Sequence, residues 1–469
     1  MVEKLKTLRD SKNARWAALF IVAFMMLCGY YLNDDLSALK SMLESDLSWS
    51  SSDYGFYRSS YGWLNVFAFM LILGGIILDK LGVRKTGILA TITMLVGTGL
   101  RYWALVNTDL MNQTWNILGA DTNAQVFVAS IGFAIFCVGL EVAGITVSKA
   151  IVKWFKGKEM ALAMGLEMAT ARLGTGLALA VAPIIAFSNK VSTPVLFGMV
   201  LMIIGTIAFL VYTRLDKKLD ASLVTAGEKT EETSEEDKFK LKDIGLIVKN
   251  KGFWLIALLC VLFYSAVFPF LNYASDLMVN KFGVTPKFAG LIPSLLPLGT
   301  IFLTPFFGNL YDRKGKGATI MIIGAILLIV VHALFSVPFL NHPAIAVVLV
   351  ILLGIAFSLV PSAMWPSVPK IIPEKLLGTA YSLIFFVQNI GLMFVPLIIG
   401  KLLDKYCITG QMMIDGQMVN QYDYTLPMIA FTVLGIFALI FAFWLKAEDK
   451  RKGYGLEKPN IVKEESANA

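Results

Sequence analysis

The chain has 469 residues, of which 57% are hydrophobic and only 16% are charged. Globular proteins contain about 25% charged residues, so this composition excludes a soluble globular enzyme and a disordered chain. The net charge of +8 is therefore no reason to expect nucleic acid as a partner. Four cysteines without a CxxC spacing and two histidines predict no disulfide framework, no metal site and no cofactor.

Hydrophobic runs long enough to cross a bilayer recur along the whole chain. A bilayer core of about 30 Å requires about 20 mostly apolar residues in a helix. Backbone polar groups in lipid must bond within their own segment, so each run is predicted to be helical. The first six predicted spans are 16–33, 61–78, 86–106, 126–148, 160–187 and 194–212. Six more follow at 253–275, 288–311, 318–337, 344–368, 377–400 and 424–445.

The distribution of Lys and Arg predicts how the spans are oriented. With the amino terminus inside, the inner segments contain 32 of these residues and the outer loops contain 7. Positively charged residues concentrate in cytoplasmic loops, so both termini are expected in the cytoplasm. The amino-terminal segment lacks a lysosomal acid-x-x-x-Leu-Leu/Ile sorting pattern, so we expect a cell membrane location. The expected functional form is a monomer in the lipid bilayer.

The spans divide into two groups of six around a charged and polar segment. We expect an amino-terminal six-helix bundle at 1–212, a cytoplasmic linker at 213–252, a second six-helix bundle at 253–445 and a cytoplasmic tail at 446–469. The fold class is thus an all-α polytopic membrane protein of twelve helices in two bundles. Two repeated bundles that rock around a midplane site are typical of alternating-access carriers.

A loop motif on the inner side occurs once in each half. The first copy comprises Gly75, Asp79, Lys80, Gly82, Arg84 and Lys85, and the second, 233 residues later, comprises Gly308, Asp312, Arg313 and Gly315. We expect the first glycine of each copy to permit close helix packing and the second to form a tight turn. The acid is expected to face a helix amino terminus or a basic partner across the gate.

The first copy, GGIILDKLGVRK, resembles the loop signature of the major facilitator superfamily. Four further stretches resemble its branch of lysosomal dipeptide uniporters and their bacterial relatives. They are KWFKGKEMALAMGLEMATARLGT (153–175), AVFPF (266–270), MWPSVPKIIPEKLLGTAY (364–381) and QNIGL (388–392). The resemblance covers most of the chain from span 1 to span 11. It implies the major facilitator fold and transport of a small solute.

Two opposite charges are predicted near the bilayer midplane. Glu141 lies 12 residues before Lys153, and Arg172 lies 13 residues after Glu159, so at about 1.5 Å per residue both reach the midplane. One interpretation is a structural ion pair between spans 4 and 5. The other is a clamp in which Arg172 binds a substrate carboxylate and Glu141 binds an ammonium group. In the resembled branch, the matching acid and arginine engage the termini of a dipeptide.

Glu167 is a third ionisable residue of interest. It precedes Arg172 by five residues, or about 140° around a helix, so its side chain is expected to point elsewhere. It could accept a proton, or it could be a gate acid near the cytoplasm. Mammalian members of the resembled branch have a neutral amide here, so the acid leaves proton coupling open beside uniport.

Other polar residues within the spans have less specific roles. Arg101 is expected to extend its charge to the outer interface, and His332 is expected to be a hydrogen-bonded histidine in the bundle. Gln388 and Asn389 lie in span 11, opposite span 5 under the repeat, where they could hydrogen-bond a peptide backbone. The aromatic candidates for the substrate site are Tyr61, Tyr264 and Trp365.

Together these observations predict a secondary carrier rather than an enzyme. The expected cargo is a small zwitterion, with a dipeptide as the best match, moved by alternating access. One alternative keeps the fold and binds an organic anion or a sugar acid through Arg172 alone. A more distant alternative is a polytopic membrane enzyme, for which the sequence contains no phosphate-binding loop and no metal cluster.

Overall fold

The computed structural model describes residues 7–117, 119–187, 189–226, 241–373, 376–414 and 416–460. Within these residues the chain is almost entirely helical. The first half contains α1 (Lys12–Asp34), α2 (Lys40–Leu47), α3 (Ser51–Ser59), α4 (Trp63–Phe67), α5 (Met70–Val106), α6 (Thr108–Met111), α7 (Ala124–Phe155), α8 (Met160–Phe187) and α9 (Thr193–Thr225). The second half contains α10 (Leu241–Ile247), α11 (Lys251–Phe282), α12 (Leu291–Lys314), α13 (Gly317–Ser336), α14 (Pro343–Ile371), α15 (Leu377–Tyr406) and α16 (Thr425–Lys452).

Eleven helices of the described chain are long and apolar enough to cross a membrane. The predicted all-α polytopic architecture is confirmed. The helix α5 contains the second part of predicted span 2 and all of predicted span 3. Within α5, Gly82 has φ +71° and ψ 169°, so it is not helical and divides α5 into two segments. The count of twelve spans stays a prediction.

Two β-hairpins and the chain termini distinguish the two ends of the molecule. Strands β1 (Thr114–Ile117) and β2 (Ala120–Asn123) are antiparallel, as are β3 (Ile408–Ile414) and β4 (Gln417–Tyr422). We call the end with these hairpins the hairpin end. The opposite end, where the described chain begins and finishes, is the terminal end. The cytoplasmic location of the terminal end stays a prediction.

Close helix packing builds each half. In the first half, α5 lies directly against α7, and α1 packs against α8 and α9. A Cβ atom at Gly97 would lie 2.4 Å from the backbone nitrogen of Phe136, so this approach requires glycine. In the second half, α13 packs against α14 and α16. The halves meet where α8 contacts α12 and where α15 contacts α3.

The hairpin end is closed by polar contacts between the halves. Lys40 Nζ lies 3.0 Å from Asp276 Oδ2, and the two side chains are 2% and 1% exposed. Asp404 of α15 accepts hydrogen bonds from the backbone N–H groups of Ser51 and Ser52 at 3.0 and 2.6 Å. Lys40 is therefore buried in the protein, because the second half supplies a buried acid for it.

The halves diverge toward the terminal end. Near the middle of α8, a Cβ atom at Gly176 would lie 2.6 Å from the side chain of Leu298 in α12. Further toward the terminal end, Leu162 of α8 and Phe302 and Phe306 of α12 are exposed. We call the space between helices α7 and α8 of the first half and helices α11 to α14 of the second half the crevice. The structure is thus closed at the hairpin end and open at the terminal end.

The segment predicted to be a solvated linker begins as helix. Helix α9 continues through Thr225, and its acids bind the loop motif of the first half. Arg84 lies 2.7 Å from Asp220 and 3.4 Å from Asp216, and Lys153 lies 2.8 Å from Asp216. Residues 227–240 of the predicted linker lie outside the described residues. The acids of 213–225 therefore stabilise the bundle instead of remaining in solvent.

The two copies of the loop motif make different contacts. In the first, Asp79 pairs with Lys149 of α7 at 2.8 Å, which is a basic partner in its own half rather than one across the gate. In the second, Asp312 accepts a hydrogen bond from Asn460 of the tail at 2.7 Å. Gly82 and Gly315 have φ +71° and +68°, so the predicted tight turns are present.

The first glycine of each motif copy does not have the expected role. A Cβ atom at Gly75 or at Gly308 would meet no atom within 4 Å among the described residues. The expectation that these glycines permit close packing is therefore wrong for this open arrangement. Close packing against α7 occurs instead at Gly74, where a Cβ atom would lie 2.8 Å from the side chain of Val142.

Candidate functional site

Glu141 lies in the middle of α7 and is bound by a tyrosine of the same half. The hydroxyl of Tyr61 donates a hydrogen bond to Glu141 Oε1 at 2.5 Å. Both side chains are half-buried. Tyr61 lies in the 3-10 turn at Ser60–Gly62 that interrupts predicted span 2, and this turn directs the tyrosine toward α7. The prediction that Glu141 and Tyr61 share one site agrees with this geometry.

Arg172 of α8 faces aromatic rings of the second half. Its guanidinium carbon lies 5.3 Å from the ring centre of Phe357 in α14 and 5.6 Å from that of Phe268 in α11. A guanidinium group at this distance from an aromatic face is attracted by the electron density of the ring. The side chain is half-buried. Arg172 therefore crosses from the first half to the second.

The ion pair of the first interpretation, between Glu141 and Arg172, is not formed in this structure. Within the described residues, no carboxylate lies within 4.0 Å of the Arg172 guanidinium. Each of the two side chains contacts neutral groups instead. Tyr61 satisfies the acid, and Phe268 and Phe357 hold the arginine. Two opposite charges thus remain separate within one crevice.

Tyr30 of α1 lies near the charged residues. Its hydroxyl is close enough to Arg172, Glu141 and Glu167 to interact electrostatically with each. Glu167 also interacts electrostatically with Arg172, although the separation of about 140° around α8 predicted that it would point elsewhere. The direction of the Glu167 side chain relative to that of Arg172 stays a prediction. The crevice therefore brings together two acids and one arginine.

Aromatic side chains of the second half form a continuous surface next to Arg172. Tyr264 contacts Phe268 and Phe357, each with ring centres 5.6 Å apart. Trp365 donates a hydrogen bond from Nε1 to the Tyr264 hydroxyl at 3.0 Å. Phe385 stacks on Trp365 at 4.9 Å. We call these five residues, Tyr264, Phe268, Phe357, Trp365 and Phe385, the aromatic wall.

Gln388 and Asn389 make their hydrogen bonds within the second half. Helix α15 packs mainly against α3 and α11, whereas α8 packs mainly against α1 and α12. Gln388 accepts a hydrogen bond from Cys260 at 3.4 Å, and Asn389 donates one to the backbone oxygen of Phe385 at 3.0 Å. Both side chains are buried. They contribute to helix packing, and the hydrogen bonding of a peptide backbone by these residues stays a prediction.

Arg101 does not extend to the membrane interface. It is fully buried and forms an ion pair with Asp35 at 2.6 Å, with further hydrogen bonds to Leu32 and Tyr57. The expectation was wrong because Asp35, just beyond α1, supplies an internal counter-charge. His332 is buried and lies 3.0 Å from the backbone oxygen of Ala266, as expected for a hydrogen-bonded histidine in the bundle.

Several residues near the crevice were missed by the sequence analysis. Phe268 and Phe357 gave no signal, because phenylalanine in an apolar span looks like ordinary packing. Asp34 and Arg58 did carry a signal, since each is a charge beside an apolar run. In the structure, Arg58 lies 3.6 Å from Asp34, and Thr175 of α8 donates a hydrogen bond to Asp34 at 2.9 Å.

Ion pairs outside the spans join the amino-terminal segment to the loop between α7 and α8. Lys158 lies 2.8 Å from Asp10, and its hydrogen bond lowers the pKa of Asp10 to about 2. Arg15 binds Glu159 at 2.9 Å. The Glu159 backbone N–H and the Arg15 hydrogen bond lower the pKa of Glu159. These pairs fix the terminal end of the first half without crossing to the second.

Comparison with known proteins gives consistent relatives. The lysosomal dipeptide transporter MFSD1 of Danio rerio is 29% identical over 401 residues, covering 83% of this chain and 81% of the relative. The same transporter of Homo sapiens is 27% identical over 402 residues, covering 83% and 80%. A D-galactonate transporter of Escherichia coli O6:H1 is 23% identical over 420 residues, covering 84% and 90%.

Solved structures share the fold at low sequence identity. The nucleoside transporter NupG aligns with a TM-score of 0.66 at 16% identity, covering 93% of this chain and 99% of that one. A bacterial homologue of the human lysosomal transporter Spinster, inward-facing and unoccupied, aligns with a TM-score of 0.67 at 14% identity, covering 94% and 98%. The sequence profile of the Major Facilitator Superfamily matches residues 19–396. The chain belongs to the Major Facilitator Superfamily and is a multi-pass membrane transporter.

Proposed function

We propose that this transporter carries a small zwitterionic solute, best matched by a dipeptide, by alternating access. The observation that carries the proposal is the separation of opposite charges in the crevice. Arg172 faces aromatic rings and has no carboxylate partner within the described residues, while Glu141 is held by Tyr61. A peptide carboxylate suits the planar guanidinium group, and a peptide ammonium group suits the carboxylate.

The structure offers a physical reason why such a site binds its substrate well. Neither Arg172 nor Glu141 has to break an ion pair with the other before it binds a ligand. The contact of Arg172 with Phe268 and Phe357 is worth about 0.5–2 kcal/mol, which a bidentate carboxylate can replace. Because those rings belong to the second half, a substrate on Arg172 touches both halves. Substrate binding would thereby be linked to their relative movement.

The relatives support the substrate class. Proteins named lysosomal dipeptide transporter align with 83% of this chain and about four fifths of their own length. The terminal end is proposed to face the cytoplasm, so the arrangement described here would be open inward. We also propose a cell membrane location and a monomer in the lipid bilayer, although the relatives are named as lysosomal.

Uptake into proteoliposomes tests the proposal. Purified protein should accumulate a labelled dipeptide with saturable kinetics, and Arg172→Gln or Glu141→Gln should abolish this uptake. Phe394→Ala is the control variant, because Phe394 is exposed on α15 and distant in sequence from the charged residues. Monodisperse behaviour of each variant in detergent shows that it is folded. Uptake by Arg172→Gln at the wild-type rate would refute the clamp.

A second candidate cargo is an organic anion or a sugar acid bound by Arg172 alone. It is favoured by the relative named D-galactonate transporter. Competition separates the two candidates: an excess of unlabelled dipeptide should suppress labelled dipeptide uptake, and a monocarboxylate or galactonate should not. The opposite order of potency, together with normal transport by Glu141→Gln, would favour the anion.

We further propose Glu167 as the residue that couples a proton to transport. It lies half-buried in the crevice, within electrostatic reach of Arg172. Its proton affinity would therefore depend on whether Arg172 is occupied by a carboxylate. An inward proton gradient should stimulate uptake by the wild type and have no effect on Glu167→Gln, while exchange of dipeptide for dipeptide continues. Equal stimulation of both proteins would assign Glu167 no such role.

A further inference from the structure

We infer that the aromatic wall is a side-chain subsite that selects substrates with a large apolar residue next to their free carboxylate. The inference rests on the proposed function and adds to it the part of the substrate that is recognised. It concerns Trp365 and Phe385 above all, because these two residues form the part of the aromatic wall farthest from Arg172.

The aromatic wall begins at the residue that is proposed to bind the carboxylate. The Arg172 guanidinium carbon lies 5.3 Å from the Phe357 ring and 5.6 Å from the Phe268 ring. Tyr264 touches both of these rings. In a peptide, the side chain of the last residue branches from the carbon atom that bears the carboxylate. A carboxylate on Arg172 would therefore place that side chain at the aromatic wall.

The far part of the aromatic wall is accessible. Phe385 is 39% exposed and stacks on Trp365, which is half-buried. The indole nitrogen of Trp365 is satisfied by the Tyr264 hydroxyl, so these rings offer apolar faces. Because Phe385 lies on α15 and Trp365 on α14, the surface is formed by two helices of the second half.

The chemistry of this surface favours neutral apolar side chains. An apolar side chain placed on the rings loses contact with water and gains dispersion contacts. A second cation would lie close to Arg172, and an anionic side chain would lose its hydration against apolar rings without gaining a partner. An apolar surface of this kind typically discriminates between substrates by about 10-fold to 200-fold. We expect about a tenfold preference.

The test compares dipeptides that differ in one residue. Glycyl-leucine and glycyl-phenylalanine should each have a KM about tenfold below that of glycylglycine. The reversed peptides, leucylglycine and phenylalanylglycine, should gain less. In Phe385→Ala and in Trp365→Phe, the ratio of the glycylglycine KM to the glycyl-phenylalanine KM should fall several-fold toward one. Because the ratio is taken within each variant, a general loss of activity cancels.

Controls separate this inference from the proposed function. Phe394→Ala should keep the wild-type ratio, because Phe394 lies nine residues from Phe385, about 180° around α15. Wild-type protein that transports dipeptides without a preference, or variants that keep the full ratio, would overturn the inference while the dipeptide proposal stands. If the wild type transports no dipeptide, the proposed function itself is refuted.

Discussion

The two halves of this transporter share an architecture and contribute different chemistry to the crevice. The first half supplies the charges Glu141, Glu167 and Arg172, whereas the second half supplies the rings of the aromatic wall. A repeated backbone therefore does not imply a repeated site. One half is suited to recognise the charged ends of a solute, and the other is suited to recognise its apolar part.

The loop motifs show the same asymmetry at the terminal end. The first copy is held by other helices of its own bundle, through Asp79 with Lys149 and Arg84 with Asp220. The second copy is covered by the tail, whose Glu457 bonds to Thr319 and whose Asn460 bonds to Asp312. The two copies of the motif thus contact different neighbours. The same substitution in each copy should therefore change the stability of the protein by different amounts.

The largest expected effect is on the ion pair that joins the two halves at the hairpin end. Asp276→Ala leaves Lys40 buried without its closest acid, and breaking a buried pair in this way costs about 3–5 kcal/mol. The closed hairpin end should therefore open more often. A cysteine introduced at Ser37, which is buried beside Asn272, should react faster with a maleimide in this variant.

The control for this prediction is Asp109→Ala, because Asp109 is exposed at the same end. It should leave the labelling rate at position 37 unchanged. An unchanged rate in Asp276→Ala would show that the two halves are not held together by this ion pair.

The next effect tests the charged chemistry of the first half. Tyr61→Phe removes the hydroxyl that binds Glu141, and a hydrogen bond to a charged group is worth about 1.5–3 kcal/mol. We expect dipeptide affinity to fall by about tenfold or more, since Glu141 loses the group that orients it. Equilibrium binding to purified protein measures this change. Tyr406→Phe, an exposed tyrosine at the hairpin end, should bind normally, and an equal loss in both would contradict the assignment.

A smaller effect should distinguish the two loop motifs. Arg84→Ala removes ion pairs with Asp220 and Asp216, and because Arg84 is partly exposed the loss should be about 0.5–1 kcal/mol. Arg313→Ala, the matching change in the second copy, removes an exposed side chain and should cost close to nothing. Thermal unfolding of both variants measures the difference. Equal destabilisation by the two substitutions would show that both copies of the motif contribute equally to stability.

The smallest expected effect is a pH dependence confined to the first half. Lys158 lowers the pKa of Asp10 from 3.8 to about 2, so the folded protein favours the ionised carboxylate. The stabilisation is complete above pH 3.8 and disappears as the pH falls through about 2. The difference in unfolding temperature between wild type and Asp10→Asn should therefore shrink on acidification over this interval. A difference that stays constant would show that the pair does not stabilise the fold.

Much of the architecture could be predicted from the sequence, because membrane spans depend mainly on local composition. Run length and hydropathy predicted nearly all of the long helices, and the turn at Gly82 followed from its place in the motif. The helical rise predicted a similar depth for Glu141 and Arg172. What it did not predict was their partners, because Tyr61, Phe268 and Phe357 come from distant parts of the chain.

The predicted position of a charged side chain was wrong where its ion-pair partner is distant in sequence. Arg101 was expected to extend to the outer interface, and it is fully buried. A single span offers no reason to bury an arginine, since the cost of the unpaired charge is prohibitive. Only the fold brings Asp35 to Arg101 and Asp276 to Lys40, and each acid offsets the free-energy cost of removing the cation from water. The hydrogen-bond partners of Gln388 and Asn389 were likewise not predicted, because the repeat does not specify which helices touch.

The amino-acid sequence by itself determined that this chain is a helical membrane protein with two similar halves and charged residues at bilayer depth. Each of these properties follows from the residues of one segment and from the absence of water in the bilayer core. Only the tertiary structure decided that Glu141 and Arg172 stay apart, that aromatic rings hold the arginine and that the crevice is open at one end. Those properties depend on which surfaces meet, and contacts between distant segments are set by the packing of the whole chain.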